Sequence, residues 1–244
     1  RIITMPEMKM LFLLWIAAVQ VLGGSFSVAT YNLEFYVDAP VLGRQPKSDE
    51  AKGAIRKALA LMNPDVAAFQ EMGTTNALLE LRASLEREGL KYPYWAHVRA
   101  ADPNLHLAFL SKLPIVARRH HTNESFLLSG RRHRVSRGFG EIDVEVEGKK
   151  VTLITAHLKS KRQTGEADQQ DLREEEALIL REKIDGFFNR VPNGRLIVLG
   201  DLNDGIASLS TRTIMGRGKT RLIDTSPSEP GGRSEKRPIA WTHF

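Results

Sequence analysis

The sequence predicts a mixed α/β domain whose sheets are covered by helices. Three observations carry that expectation. Short runs of β-forming residues recur, the clearest being Ile142, Val144 and Val146 alternating with charged residues ahead of a Glu147-Gly148-Lys149-Lys150 turn. Between such runs lie stretches of helical periodicity, opened by Ser, Thr or Asp and closed by Asn-Pro or Gly. Strands that partly form hairpins and partly alternate with helices argue for sheets packed under helices.

At the N-terminus, "MKMLFLLWIAAVQVLGG" sets Lys9 before an apolar run, Leu11 to Leu22, and then Gly23, Gly24 and Ser25. That is the three-part layout of a secretory signal, with cleavage expected between Gly24 and Ser27. A spanning helix needs about 20 predominantly apolar residues, and this run meets Gln20, two glycines and two serines first. We read 1–27 as an N-terminal extension plus signal peptide and 28–244 as one domain. The product is then secreted or periplasmic, a monomer, with no membrane anchor after cleavage. Arg1 precedes the plausible starts at Met5 and Met8, which reads as a clipped frame.

The first strand is expected at Val28 to Asn32, in "SVATYNLEF". Ser48 then opens a helix with Ala51, Ile55, Ala58, Leu59 and Met62 on one face, ended by Asn63-Pro64. "DVAAFQE" reads as a short buried strand, followed by a helix from Thr74 to Glu88 that stops at Gly89. "LHLAFLSK" and "IVARR" are the next strands, and His97 and His106 are assigned to strands in packing roles. The hairpin turns at Glu147 to Lys150 and returns from Val151 to Ala156. A long helix runs from Asp168 to about Asn189, with Leu172, Leu180, Ile184, Phe187 and Phe188 toward the core. Pro192 and Gly194 close it, and a buried strand spans Arg195 to Gly200. Beyond Gly205 the pattern is weak, although "IAWTHF" reads as the start of another strand.

With no cysteine, disulfides and thiolate metal sites are excluded, while oxygen and imidazole sites remain. A formal net charge of +6 and a pI near 9.6 lean toward an anionic partner. Four of the strands end in polar groups: Asn32, Glu71, His157, and the pair Asp201 and Asn203. The C-terminal ends of buried strands are where an open α/β scaffold builds its sites. Asp201 and Asn203 stand two apart, so an extended chain would point both to one side, about 7 Å apart.

These motifs, "TYNLE", "FQEM", "ITAHLKS" and "LGDLND" in that order, resemble those of the endonuclease/exonuclease/phosphatase superfamily, the deoxyribonuclease-I-like fold. The resemblance runs from about Val28 to the last residue. It implies two mixed β-sheets packed as a sandwich with helices on both outer faces, a four-layer α/β/β/α arrangement. It also implies metal-dependent phosphodiesterase chemistry, with a nuclease acting on DNA or RNA as the leading reading. Glu71 would hold a divalent metal, most simply Mg²⁺, with Mn²⁺ or Ca²⁺ as substitutes, because hard oxygen ligands suit it. Asn32 would sit beside the metal through its amide oxygen. Asp201 would deprotonate the attacking water, Asn203 would fix the phosphate, and His157 would hydrogen-bond a non-bridging oxygen.

Between Lys112 and Arg137 lie seven bases and one acid, Glu124, an excess equal to that of the whole chain. With residues 148 and 149 as the hairpin tip, His157 pairs near Gly140, which puts Arg134 and Arg137 at the catalytic end. Lys159, Ser160 and Lys161 follow the histidine. All five are candidates for contacting a nucleic-acid backbone. The other histidines, His120 and His121 included, read as structural.

One departure stands out. Superfamily members end in a further strand pair and an Asp-His motif, usually "SDH", and nothing like it appears here. "WTHF" resembles the segment shortly before that ending. The chain therefore reads as C-terminally truncated, its last strands missing, with an open sheet edge and little activity of its own. Two other readings stand beside the nuclease: a phospholipid or small phosphate-ester hydrolase of the same fold, and a non-catalytic nucleic-acid-binding protein.

Overall fold

The computed structural model of the chain describes residues 25–162 and 167–225. The signal-like segment before Ser25, "IAWTHF", and the question of the terminal motif lie outside them. The elements, in order, begin with β1 (Val28–Tyr36), α1 (Asp49–Met62), β2 (Val66–Met72), α2 (Thr75–Arg87), β3 (Tyr94–Val98), β4 (His106–Ser111) and β5 (Ile115–Arg118). They continue with β6 (Ser125–Leu128), β7 (Arg131–Arg134), β8 (Phe139–Val146), β9 (Lys149–His157), α3 (Gln169–Arg190), β10 (Leu196–Asp201) and α4 (Leu209–Met215).

The first sheet has the order β1-β2-β4-β3 and the second β10-β9-β8-β5; β6 and β7 form a separate ribbon. Side-chain alternation shows how the layers stack. On β2, Ala67 and Phe69 pack with Leu59, Leu78 and Leu81 of α1 and α2. Val66 and Ala68 instead meet Ile142, Val144 and Leu153 of the second sheet. On β9, Ile154 and Ala156 face Leu172, Leu180 and Ile184 of α3. Helices, sheet, sheet and helices therefore form the expected four-layer sandwich.

The helices start where capping chemistry dictates. The side chains of Ser48, Thr74 and Asp168 each accept a first-turn amide. Three differences from the sequence reading have physical causes. The β8–β9 turn occupies Glu147 and Gly148, both at positive φ (48° and 72°), and Val146 faces Lys149, a two-residue turn of the primed type. Register then sets Ala156 against Phe139, so His157 falls opposite Gly138 rather than near Gly140. The basic segment holds the β6–β7 ribbon, whose arginine-rich strand lacks the apolar alternation that marks a buried one. Finally, β10 is half-buried along its whole length. Among the described residues it pairs only with β9, and an edge strand keeps one side open.

Candidate active site

Parity along β1, β9 and β10 delivers Asn32, His157 and Asp201 to the inter-sheet face. Leu153 lies between the sheets, so Thr155 and His157, two and four residues on, point the same way. Leu199 does the same for Asp201. Gln70 donates to Thr155 Oγ1 (3.1 Å) and Thr30 Oγ1 (3.1 Å), a buried tie between the sheets directly below the site. Thr30 in turn sets the side on which Asn32 emerges. β1 and β2 run parallel, as do β9 and β10, so all four chains reach this edge together.

Glu71 follows Gln70 and by parity would face the helices. A break in regular pairing turns it inward. The β1–β2 register shifts between Asn32 and Tyr36, the β2–β4 register shifts between Phe69 and Met72, and Glu71 itself sits at φ 57°. Bulges re-aim side chains in this way, and positive φ in a non-glycine residue costs about 1–3 kcal/mol, a strain that concentrates at functional sites.

The resulting geometry is tight. Asn32 Nδ2 donates to Asp201 Oδ2 (2.9 Å) and Glu71 Oε1 (3.3 Å), while its Oδ1 accepts the Glu34 N–H (2.9 Å). Glu71 Oε2 accepts the Phe35 N–H at 3.1 Å. His157 Nε2 stands 3.8 Å from Asp201 Oδ2 and 4.0 Å from Glu71 Oε1. Asn203 joins through its backbone rather than by extended spacing. Its N–H reaches Asp201 Oδ1 (2.9 Å) and its φ is 52°, a turn closed by the aspartate side chain. Its Nδ2 donates to Leu158 O (2.9 Å), tying the β10 exit to the β9 exit.

The proposed phosphate-contacting residues divide. Arg134 is exposed and donates to Asn123 Oδ1 (3.2 Å). Arg137 is largely enclosed and faces Asp102 (3.5 Å). Lys161 is exposed beside Asp204 (3.4 Å), and Lys159 and Ser160 are half-buried.

Two supporting residues escaped the sequence reading. Glu176, 2% exposed, accepts the Lys159 N–H (2.7 Å) and the Ser136 N–H (3.4 Å). It thereby fastens the end of β9 to the stem of the arginine ribbon. Burial pushes its carboxyl up, against the pull of these amides and Arg137. Arg173, 4% exposed, links Asp204 Oδ2 (3.1 Å) to Lys159 O (3.2 Å). Burial works to raise the pKa of Asp204, but hydrogen bonds from Ser210 and Arg173 outweigh it and hold the carboxyl well below the usual range. The sequence signal was there: Arg173, Glu176 and Leu180 share one face of α3 at spacings of three and four.

Glu71 and Asp201 are two carboxylates with no lysine or arginine partner among the described residues; His157 is their neighbouring base. That uncompensated pair of oxygen donors fits a hard divalent cation. Among the described residues, no three His, Asp or Glu side chains converge as a metal-holding group.

A two-sheet α/β sandwich of this kind belongs to the DNase I-like folds, as comparison with solved structures shows. A magnesium-bound beta toxin mutant from Staphylococcus aureus superimposes with TM-score 0.58 at 19% identity, covering 79% of this chain and 69% of that one. Sphingomyelinase C from Streptomyces griseocarneus gives 0.57 at 20%, covering 79% and 69%. TDP2 from C. elegans gives 0.53 at 18%, covering 74% and 48%. The family model described as Endonuclease/Exonuclease/phosphatase family matches residues 29–243. The chain belongs to that family, whose members are metal-dependent phosphoester hydrolases. No curated protein matches the sequence.

Proposed function

We propose that this chain is a secreted, Mg²⁺-dependent phosphodiesterase that hydrolyses nucleic acid. The observation that carries the reading is the single amide of Asn32 bridging the carboxylates of Glu71 and Asp201, with His157 against both. Asp201 orients the attacking water and takes its proton. His157 donates to a non-bridging phosphate oxygen, a bond that strengthens as charge builds there. Asn203 and Asn32 hold the phosphate and the carboxylates in register. Glu71, beside Asn32, would hold the metal, which neutralises charge on the phosphate when bound. Glu71→Gln is expected to raise the Mg²⁺ concentration for half-maximal activity by about 100-fold, since even supporting residues around a metal contribute ~10- to 100-fold. Calorimetric Mg²⁺ titration gives the check independent of turnover.

The preference for nucleic acid over a lipid head group is supported by how the seven bases are used. Lys112 is held by Asn63 and Asp65, Arg118 by Trp95 O, Arg119 by Glu141 and Asp143, and Arg137 by Asp102. Arg131, Arg132 and Arg134 have no carboxylate partner among the described residues, and all three are exposed on β7. Such a strand suits a phosphate backbone. Replacing these three by serine is expected to flatten the plot of log affinity against log salt by about 2–3, near 0.9 for each phosphate left without its arginine. Fluorescence anisotropy with a labelled oligonucleotide measures it.

The function itself is tested by offering the full chain plasmid DNA, RNA and a choline-phosphate lipid, with Mg²⁺ and with a chelator. Metal-dependent cleavage of either nucleic acid supports the proposal. Turnover of the lipid alone would sink the nucleic-acid assignment, and binding without any turnover would favour a non-catalytic protein.

A further inference from the structure

A cavity of about 310 Å³ lies past the end of β2, walled by Thr74, Thr75, Arg99 and His106 among others. Its wall begins at Thr74, three residues past Glu71, a reach of at most about 11 Å along the chain. His106 contributes from β4, where it pairs with Met72, the residue after Glu71. Arg99 closes it from the end of β3.

Three features there call for an anion. Arg99 is exposed and has no carboxylate partner among the described residues. The α2 N-terminus supplies amide donors: Thr74 Oγ1 accepts the Asn76 N–H (3.1 Å) and the Ala77 N–H (3.4 Å). That leaves the Thr75 N–H without an acceptor among the described residues. His106, 3% exposed, forms part of the wall, and its Nδ1 has no hydrogen-bond partner among the described residues. A buried ring nitrogen in that state is costly unless a ligand or water meets it. Burial, then His97 and Arg99, push His106 down to about 4, so near neutrality it is an uncharged hydrogen-bonding group. The carboxylate in the wall, Asp38, is committed to the Thr74 hydroxyl (2.6 Å).

We propose that this cavity is an anion subsite holding a phosphate of the substrate strand near the scissile bond, with Arg99, the Thr75 amide and His106 as its donors. A duplex strand carries one phosphate per about 3.4 Å of axis. Successive phosphates are farther apart through space than along the axis, so a reach of about 11 Å sets the cavity one or two phosphates from the catalytic position. The inference rests on the nucleic-acid reading above, and it makes the enzyme prefer substrates with phosphates flanking the cleaved bond.

The test uses the full chain with Arg99→Ser and Thr75→Pro. Proline is tolerated at the first helical position, where its missing N–H has no intrahelical role. Thr74, at φ −69° and ψ 171°, already has the extended form a residue before proline requires. Two readouts separate the sources of the anion. Inorganic phosphate is titrated without divalent metal while amide and imidazole NMR shifts near Thr75 and His106 are followed. Turnover is then compared between a short oligonucleotide and bis(p-nitrophenyl) phosphate, which has one phosphate. We expect saturable shifts, weakened in both variants. We also expect kcat/KM for the oligonucleotide to fall about tenfold relative to the small ester, the size of one charge-assisted hydrogen bond. Shifts with no change in that ratio would reduce the cavity to a free-anion site and overturn the substrate role. Absence of shifts together with an unchanged ratio would overturn the proposal outright. Intact shifts with no wild-type turnover of any phosphodiester would support the anion site while removing the catalytic function.

Discussion

Asp201→Asn is expected to lower kcat by about 10³ while leaving the protein folded. The change is isosteric and deletes only the ability to accept a proton, and general-base catalysis contributes ~10²–10⁴. Asp201 is half-buried, so the core packing stays intact. Its Oδ1 bond from the Asn203 N–H can be kept by the new amide oxygen. The other contact turns unfavourable, because Asn32 Nδ2 would face a second NH₂ group where it now meets a carboxylate. That mismatch should cost about 1 kcal/mol, visible as a small drop in melting temperature. Steady-state turnover of plasmid DNA, beside circular dichroism melting, checks both halves. A variant retaining a tenth or more of wild-type kcat would move the base role away from Asp201, and His157, 3.8 Å away, would be the next candidate.

The reason Asp201, Asn32 and His157 could be picked from the sequence is that each keeps the plain period-two alternation: Asp201 and His157 end their strands, and Asn32 stands in β1 where its regular pairing with β2 stops. Thr30 to Asn32, Leu153 to His157 and Leu199 to Asp201 all keep parity with residues of the inter-sheet layer. Glu71 breaks parity. Residue pattern points its side chain at the helices, and it was nominated by its place at a strand end and in an ordered motif; the left-handed backbone that turns it inward has no one-letter signature. Asn203 was nominated by its extended spacing from Asp201, yet it reaches the site through a side-chain-closed turn. The strands that carry apolar alternation were legible for the same reason the core is. The β6–β7 ribbon was not, because its arginine-rich strand shows no apolar alternation; the ribbon reaches the core through Phe126 and Leu128 of β6, and Phe126 stacks on His133 with ring centroids 5.7 Å apart. Glu176 and Arg173 were masked by a different prejudice: charges on a long helix are read as solvent-facing, yet here two of them tie together the loops of the candidate site.

Those loops depend on one backbone position. Gly200→Ala is expected to destabilise the protein by about 3–4 kcal/mol, and the cause lies on β9. Gly200 pairs with Ala156 in the parallel ladder at φ 137°, a region that side-chain-bearing residues rarely enter. A Cβ there would lie 2.0 Å from Ala156 O and 2.8 Å from Ala156 N. Both obstacles are backbone, so no rotamer change relieves them. The left-handed backbone contributes ~1–2 kcal/mol and the forced displacement ~1–3 kcal/mol. Against a total stability of roughly 5–15 kcal/mol, the melting temperature should fall by about 10 °C for a domain of this size. Gly205→Ala is the control, since nothing lies within 4 Å of its added methyl group, and it should melt as wild type. Activity should fall in the Gly200 variant even at temperatures where it is folded, because relief of the clash must move β10 away from β9. That motion separates Asp201 from His157 and strains the Leu158 N–H bond to Asp201 O, now 3.0 Å. If Gly200→Ala instead keeps both stability and turnover, then the close approach of the two strands is not what sets the catalytic geometry, and the support must come from the Asn203 and Arg173 ties on the far side of the loop.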